Sequence, residues 1–218
     1  MNNVLIIVAH PDDEILGCGA TMAKHVKNGD KVKVVFLADG FSSRDNDINR
    51  YSSAEKASKF LGCMEPVFLN FPDNQLDTIP LLDIVKKIEK SIESFQPSII
   101  YTHHYGDLNI DHQLTHKAVI TASRPRYKFT VKEIYSFEIL SSTHWQSLSM
   151  GNEFIPNYFV DVNEFMDIKM SALQCYDSEI MDYPNARSYN AVENLAKFRG
   201  SLVGLRAAEA FVVLRNIS

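Results

Sequence analysis

Residues 3–14 read NVLIIVAHPDDE, an unbroken apolar run that ends abruptly in His10, Asp12, Asp13 and Glu14 around Pro11. A short run of this kind, rich in β-branched residues, has the character of a strand covered on both faces, as in a parallel sheet. Pro11 biases His10 towards extended backbone, so the chain leaves the strand straight and then turns. A helix is expected next, from about Asp13 to Lys27. It closes at NGD, where Gly29 suits a left-handed cap.

Working outward, strand and helix alternate. KVKVVFLADG (31–40) reads as a second strand and RYSSAEKASKFLG (50–62) as a second helix closed by Gly62. PVFLNFPD (66–73) is a third strand. Thr78 is expected to cap the next helix, with Pro80 in its first turn and Leu81, Leu82, Val85, Ile88 and Ile92 on one buried face. PSIIYTHH (97–104) is a fourth strand, followed by a helix from near Asp111 to about Ala122. KEIYSFEIL is a fifth strand and NYFVDV a sixth. The C-terminal third reads as mainly helical, in NEFMDIKMSALQCY and NAVENLAKFRGSLVGLRAAEAFVVLR. No repeat or linker interrupts the chain, so residues 1–218 are expected to form one domain. The pattern implies an α/β protein, a three-layer Rossmann-like fold with a mainly parallel sheet and helices on both faces.

Such folds bind ligands beyond the C-terminal ends of their strands. The polar clusters obey that rule. His10 to Asp13 follow strand one, Asp39 follows strand two, Asp73 and Asn74 follow strand three, and His103, His104, Asp107, Asp111 and His112 follow strand four. All converge on one edge of the sheet.

Composition narrows the classes. The 218 residues carry 22 Lys and Arg against 27 Asp and Glu, a net charge of −5 with no basic block, which disfavours nucleic acid as a partner. The three cysteines are widely spaced, form no CxxC pair and suit a reducing compartment. The N-terminal apolar run is too short for a signal peptide or a membrane span. A cytoplasmic protein with no integral membrane segment is expected, and a homo-oligomer is left open.

His10 and Asp13 can reach one point from either side of the turn at Pro11. Imidazole plus carboxylate is a common zinc ligand pair, and His112, opening a helix after strand four, supplies a third donor. His2Asp with one open position is the pattern of a catalytic zinc site, in which the ion acidifies a water and polarises a carbonyl. Asp12 is then placed to act as general base. Asp111 suits a hydrogen bond to a histidine or to substrate. Acidic residues also favour helix starts without any chemistry, and Glu14 fits that role. The second cluster at His112 makes capping alone a poorer account. His2Asp also accepts Fe2+, Mn2+ or Co2+ in place of Zn2+.

AHPDDEILGCGA, together with LADG, NIDH and the late RAAEAF, resembles the PIG-L/LmbE-like family of zinc-dependent de-N-acetylases, over most of the chain. The resemblance implies a Rossmann-like fold, one zinc held by His10, Asp13 and His112, and Asp12 as general base. It implies attack of zinc-activated water on an N-acetyl carbonyl of an amino sugar or glycoconjugate. Many members carry HPDH where this chain has NIDH. Asn109 therefore stands where a histidine is expected to help at the oxyanion or leaving group. Asparagine can donate a hydrogen bond there, but it cannot act as an imidazolium acid. Asp12, once protonated, can serve the leaving amine, and His104 or His144 are further candidates. The rival readings are an amidase acting on another N-acyl group or a thiol conjugate, and a non-catalytic sugar- or nucleotide-binding domain.

Towards substrate, Asp39 can bind sugar hydroxyls, Arg44 can grip a phosphate or carboxylate, and Asp73 and His144 are further contacts. Of the pair at the end of strand four, one histidine is expected near the centre and the other in a structural role. His116, one turn beyond His112, and Trp145, the only tryptophan, are weaker candidates. GCGATM lacks the third glycine of a dinucleotide fingerprint, so Gly17 and Gly19 read as packing positions. Cys18 has no flanking base, and Glu209 of RAAEAF reads as structural.

Overall fold

The computed structural model describes residues 1–40, 50–126, 129–147 and 151–218. At its centre is β1 (Asn3–Val8), paired in parallel with β2 (Lys31–Ala38) on one side and with β4 (Ile99–His103) on the other. With β3 (Val67–Phe71), β5 (Glu133–Phe137), β6 (Tyr158–Asp161) and β7 (Ala208–Asn216) the sheet runs β3-β2-β1-β4-β5-β7-β6. The first five strands in that order are parallel, and β7 runs antiparallel to both β5 and β6.

Side chains on a strand alternate between faces. Val4, Ile6 and Val8 thus join one buried cluster with Val34, Phe36 and the helix α1 (Asp13–Lys27), while Leu5 and Ile7 join another with Val35 and Leu37. The second cluster also takes α3 (Leu81–Phe95) and α4 (Ile110–Ala122). On the α1 side lie α2 (Arg50–Phe60), α5 (Met166–Leu173) and α6 (Tyr189–Ser201). The order of the strands reverses at β1 and β4, which opens a crevice beyond their C-terminal ends.

Three expectations need correction. The C-terminal segment is not helical throughout. α6 stops at Ser201, Gly204 takes φ +77°, and Ala208–Asn216 becomes a strand. Its FVVL core favours a pleated surface, and β5 supplies an unpaired ladder edge for it. Thr78 is not a helix cap. It lies in a 3-10 turn, Leu76–Thr78, where its hydroxyl donates to the Gln75 carbonyl, and α3 starts after Pro80. The buried stripe of α3 is Ile84, Val85, Ile88 and Ile92, whereas Leu81 and Leu82 in its first turn are exposed.

α1 is kinked at Cys18, whose φ of −150° and ψ of 22° are not helical. The break strands backbone groups on both sides of it. Glu209 of β7 accepts from the Ala20 and Thr21 amides at 3.1 and 2.7 Å, and Lys169 of α5 donates to the Leu16 carbonyl at 2.9 Å. Lys169 and Glu209 also pair at 2.6 Å. A buried ion pair thus caps each half of the kinked helix, which gives the late RAAEAF glutamate a structural task.

Gly17 lets the first half of α1 lie against β5, because a Cβ there would fall 2.3 Å from the Phe137 ring. For Gly19 the closest approach is 3.1 Å, to Ile15 in its own turn. Gly17→Ala is expected to lower stability by about 1–3 kcal/mol in urea unfolding, through overpacking. A residue that was merely helical would gain up to ~1 kcal/mol from the same change, so the sign is decisive.

Candidate metal centre and its cleft

β1 and β4 are neighbours, so the residues that leave them meet. The turn after β1 has an unusual backbone: Asp12 takes φ 122°, outside the region most side chains accept. Its carbonyl accepts from the Ile15 and Leu16 amides at 3.1 and 3.0 Å and starts α1. This geometry separates two adjacent carboxylates. Asp13 is buried in a histidine cluster, while Asp12 lines the cleft.

His10 Nδ1, Asp13 Oδ2 and His112 Nε2 form a triangle whose three sides are each 3.3 Å. All three residues are buried. A tetrahedral ion with bonds of about 2.0–2.1 Å sets neighbouring donors roughly 3.3–3.4 Å apart, so the triangle has the size of one face of such a site. Asp13 Oδ1 is buried with no hydrogen-bond partner among the described residues. Two imidazole nitrogens and a carboxylate oxygen gathered this closely fit a small divalent cation.

The outward nitrogens are held by carboxylates, an arrangement that orients ligating histidines. His10 Nε2 lies 3.1 Å from both Asp111 Oδ2 and Asp73 Oδ1. Asp111 is fixed in turn by the Asn74 and Leu76 amides, at 2.8 and 3.0 Å. His112 Nδ1 faces Asp107 Oδ2 at 3.2 Å, and Asp107 accepts from the Thr143 hydroxyl at 2.6 Å. Burial opposes charge on both rings, but the carboxylates outweigh it. His10 is raised well above the ordinary imidazole value, and His112 rises to about 9. His10, Asp73 and Asp111 form a second set of potential ligands that shares His10.

Asp12 sits beside this cluster and receives a hydrogen bond from Arg187 Nη1 at 3.0 Å. Burial raises its pKa, Arg187 works against that, and the net direction is upward. Glu14 is no solvent-facing helix charge. It accepts from the Asp12 amide at 3.1 Å and from the Tyr176 hydroxyl at 2.6 Å, and burial still pushes its carboxyl up to about 8.

The other sequence candidates fall in different places. Asn109 caps α4, its Oδ1 accepting from the Asp111 amide at 2.8 Å, and its side-chain amide donates to Asn74 Oδ1 on the cleft. Asp73 belongs to the surroundings of His10 as well as to the cleft. Asp39 is half-buried, its amide donates to Phe71, and it is not among the lining residues of the cleft. Arg44 lies outside the described residues. His104 turns away to the Asn152 carbonyl at 2.9 Å. His144 pairs with Glu138 at 2.9 Å, and Glu138 also binds Arg199. His116 hydrogen-bonds the His103 carbonyl at 2.8 Å.

Of the histidine pair at the end of β4 it is His103, not His104, that joins the centre, and Arg187, beyond the sequence candidates, joins it too. His103 stacks on His112 with centroids 3.9 Å apart, and its Nε2 accepts from the Ala9 amide at 2.9 Å. Burial and the neighbouring His112 keep it neutral, well below the usual imidazole value. Strand alternation allowed one histidine of the pair to point here, without saying which. Arg187 carried no signal, because no periodic pattern frames it and 175 residues separate it from Asp12.

A cleft of about 490 Å³ opens above the cluster. His10, Asp12, Asp73 and Asn109 are among its lining residues, and Arg50, Glu179 and Arg187 contribute charge. Arg50 is buried and paired with Glu179. No helix among the described residues is long and apolar enough to cross a membrane.

Known proteins resemble this chain in sequence and in fold. The model of the family described as PIG-L, GlcNAc-PI de-N-acetylase, matches residues 5–123. The chain is 33% identical over 181 residues to the uncharacterized deacetylase YaiS of Escherichia coli (strain K12), covering 80% of this chain and 90% of that one. It is 24% identical to the diacetylchitobiose deacetylase of Thermococcus kodakarensis over 96% of this chain and 82% of the other. Among solved structures, the conserved protein TT1542 from Thermus thermophilus superposes with a TM-score of 0.82 at 22% identity, over 100% and 97% of the two chains.

Proposed function

Because the chain belongs to the PIG-L family of GlcNAc-PI de-N-acetylases, we propose that it is a metal-dependent hydrolase that removes the N-acetyl group from an amino sugar or glycoconjugate. Relatives named as deacetylases support the enzyme class. The observation that carries the reading is the 3.3 Å triangle of His10, Asp13 and His112 beside a cleft-facing carboxylate. These three residues would hold the ion, with zinc the default, and Fe2+, Mn2+ or Co2+ as substitutes. Bound there, the ion would acidify a water and polarise the acyl carbonyl.

The chain's own residues supply the rest. Asp12 takes the proton of the attacking water and later delivers it to the leaving amine, so one carboxylate is base and then acid. Arg187 holds that carboxylate in place. Asp111, Asp73 and Asp107 fix the two imidazoles, and His103 packs against the ring of His112. Asn109 borders the cleft where an oxyanion can accept a hydrogen bond from its amide.

The test pairs metal analysis of the purified protein with acetate release from N-acetylated sugars, with and without chelator. About one metal per chain, the count of a single three-ligand centre, and chelator-sensitive acetate release are expected. Failure to bind metal after reconstitution would overturn the site at His10, Asp13 and His112.

A further inference from the structure

Asp12 holds a backbone conformation that L side chains rarely adopt, with φ 122° and ψ −30°. Such a conformation persists only where its surroundings over-determine it. Three contacts do so here. The Asp12 carbonyl accepts from the Ile15 and Leu16 amides, its carboxylate accepts from Arg187, and its own amide donates to Glu14 Oε2 at 3.1 Å. The torsion φ is rotation about the bond from that amide nitrogen to Cα. Fixing the direction of the N–H therefore fixes where the side chain leaves the backbone. The acceptor has to be held in its turn, and Tyr176 holds it. The Tyr176 hydroxyl donates to the other Glu14 oxygen, Oε1, at 2.6 Å. Both side chains are 1% exposed, so bulk water does not compete for either bond.

We infer that Tyr176 is a positioning residue for Asp12: through Glu14 it holds the Asp12 amide, and with it the turn that presents this carboxylate to the cleft. Tyr176 is not among the lining residues of the cleft, so it acts only through Glu14. It lies in the 3-10 segment Gln174–Glu179, beyond residues 5–123 that the family model matches, and 162 residues separate it from Glu14. Arg187, from the same C-terminal part of the chain, grips the other end of the residue. The C-terminal part thus fixes Asp12 at its amide and at its carboxylate, while the residues after β1 supply the carboxylate itself. That Asp12 transfers protons rests on the deacetylase reading; that Tyr176 positions it does not.

The test compares Tyr176→Phe with the parent, alone and in the Asp12→Asn background. Alone it is expected to lower kcat by about 10- to 100-fold, the effect of a small misplacement of a reacting group, with KM and metal content as in the parent. Added to Asp12→Asn it should change the residual rate by less than about twofold, because the carboxylate it serves is already gone. Damage to the core would lower the rate equally in both backgrounds, and that result would overturn the inference. Glu14→Leu keeps most of the volume but removes the acceptor, and should lose as much as Tyr176→Phe. Glu14→Gln keeps an oxygen for the Asp12 amide and an NH2 for the Tyr176 oxygen, so it should recover about tenfold of that loss. No recovery would overturn the inference in favour of a role for the Glu14 charge. Hydrogen exchange in isotope-labelled protein reads the same contacts without turnover. Tyr176→Phe should speed exchange of the Asp12 amide about tenfold while the amides of β1 keep the parent's rates. A rise shared by β1 would mean general loosening and would overturn the inference. A parent that releases acetate, with Tyr176→Phe equally fast, would overturn it as well and leave the deacetylase reading standing. Faster exchange confined to Asp12, with no acetate from the parent or any variant, would do the reverse.

Discussion

Asp12→Asn is expected to lower kcat by about 10²- to 10⁴-fold, the range for loss of a positioned general base, while metal content stays that of the parent. The choice of asparagine matters. Asp12 is buried, its backbone φ is 122°, and its Oδ2 accepts from Arg187 at 3.0 Å. An amide of the same shape keeps that acceptor and adds no bulk. What it loses is the ability to take a proton. Asp13, the neighbour that faces the histidines, is untouched. The expected signature is therefore a fall in kcat with metal analysis unchanged and an unfolding midpoint close to the parent's. Full activity in this variant would remove Asp12 from the proton-transfer role. Loss of metal would mean that Asp12, and not only Asp13, supports the ion.

The difference in legibility between these neighbours is instructive. His10, Asp13 and His112 were readable because two unbroken apolar runs announce buried strands, and ligands of such sheets gather at strand ends. Nothing local in the sequence says that β1 and β4 are adjacent, but the strand order of a doubly wound sheet does. The limits were equally physical. His103 and His104 differ by one residue at a strand end, where a single step of register reverses the face. Arg187 reaches Asp12 from a segment that precedes α6 and has no period to predict from. β7 was hidden because AAEAFVVLR satisfies a helical pattern as well as a strand pattern. Its strand state depends on the free edge of β5, a tertiary fact. The kink in α1 was equally invisible, since its compensation comes from Lys169 and Glu209, far along the chain.

His112→Ala should separate binding from chemistry in the opposite way: metal content and activity are expected to fall together, the activity to the level of chelated parent protein. His112 supplies one corner of the 3.3 Å triangle, and two donors, His10 and Asp13, remain. Two protein ligands are too few for a catalytic site of the His2Asp type. The variant is expected to fold, because the groups that His112 touches keep other partners. Asp107 retains the Ser142 and Thr143 hydroxyls at 3.0 and 2.6 Å and the Asn109 amide at 2.8 Å. His103 keeps its bond from the Ala9 amide. Thermal unfolding distinguishes loss of the ion from loss of the fold. An ion that binds only the native state raises Tm, by about 5–10 °C for a chain of this size at a hundredfold excess over Kd. The parent should show that rise on adding zinc to stripped protein, and His112→Ala should not. A variant that still gained stability from zinc would point to the neighbouring set of His10, Asp73 and Asp111 as the ion's true seat. That outcome would place the cation on the Nε2 side of His10 rather than on Nδ1, and would separate it from Asp13.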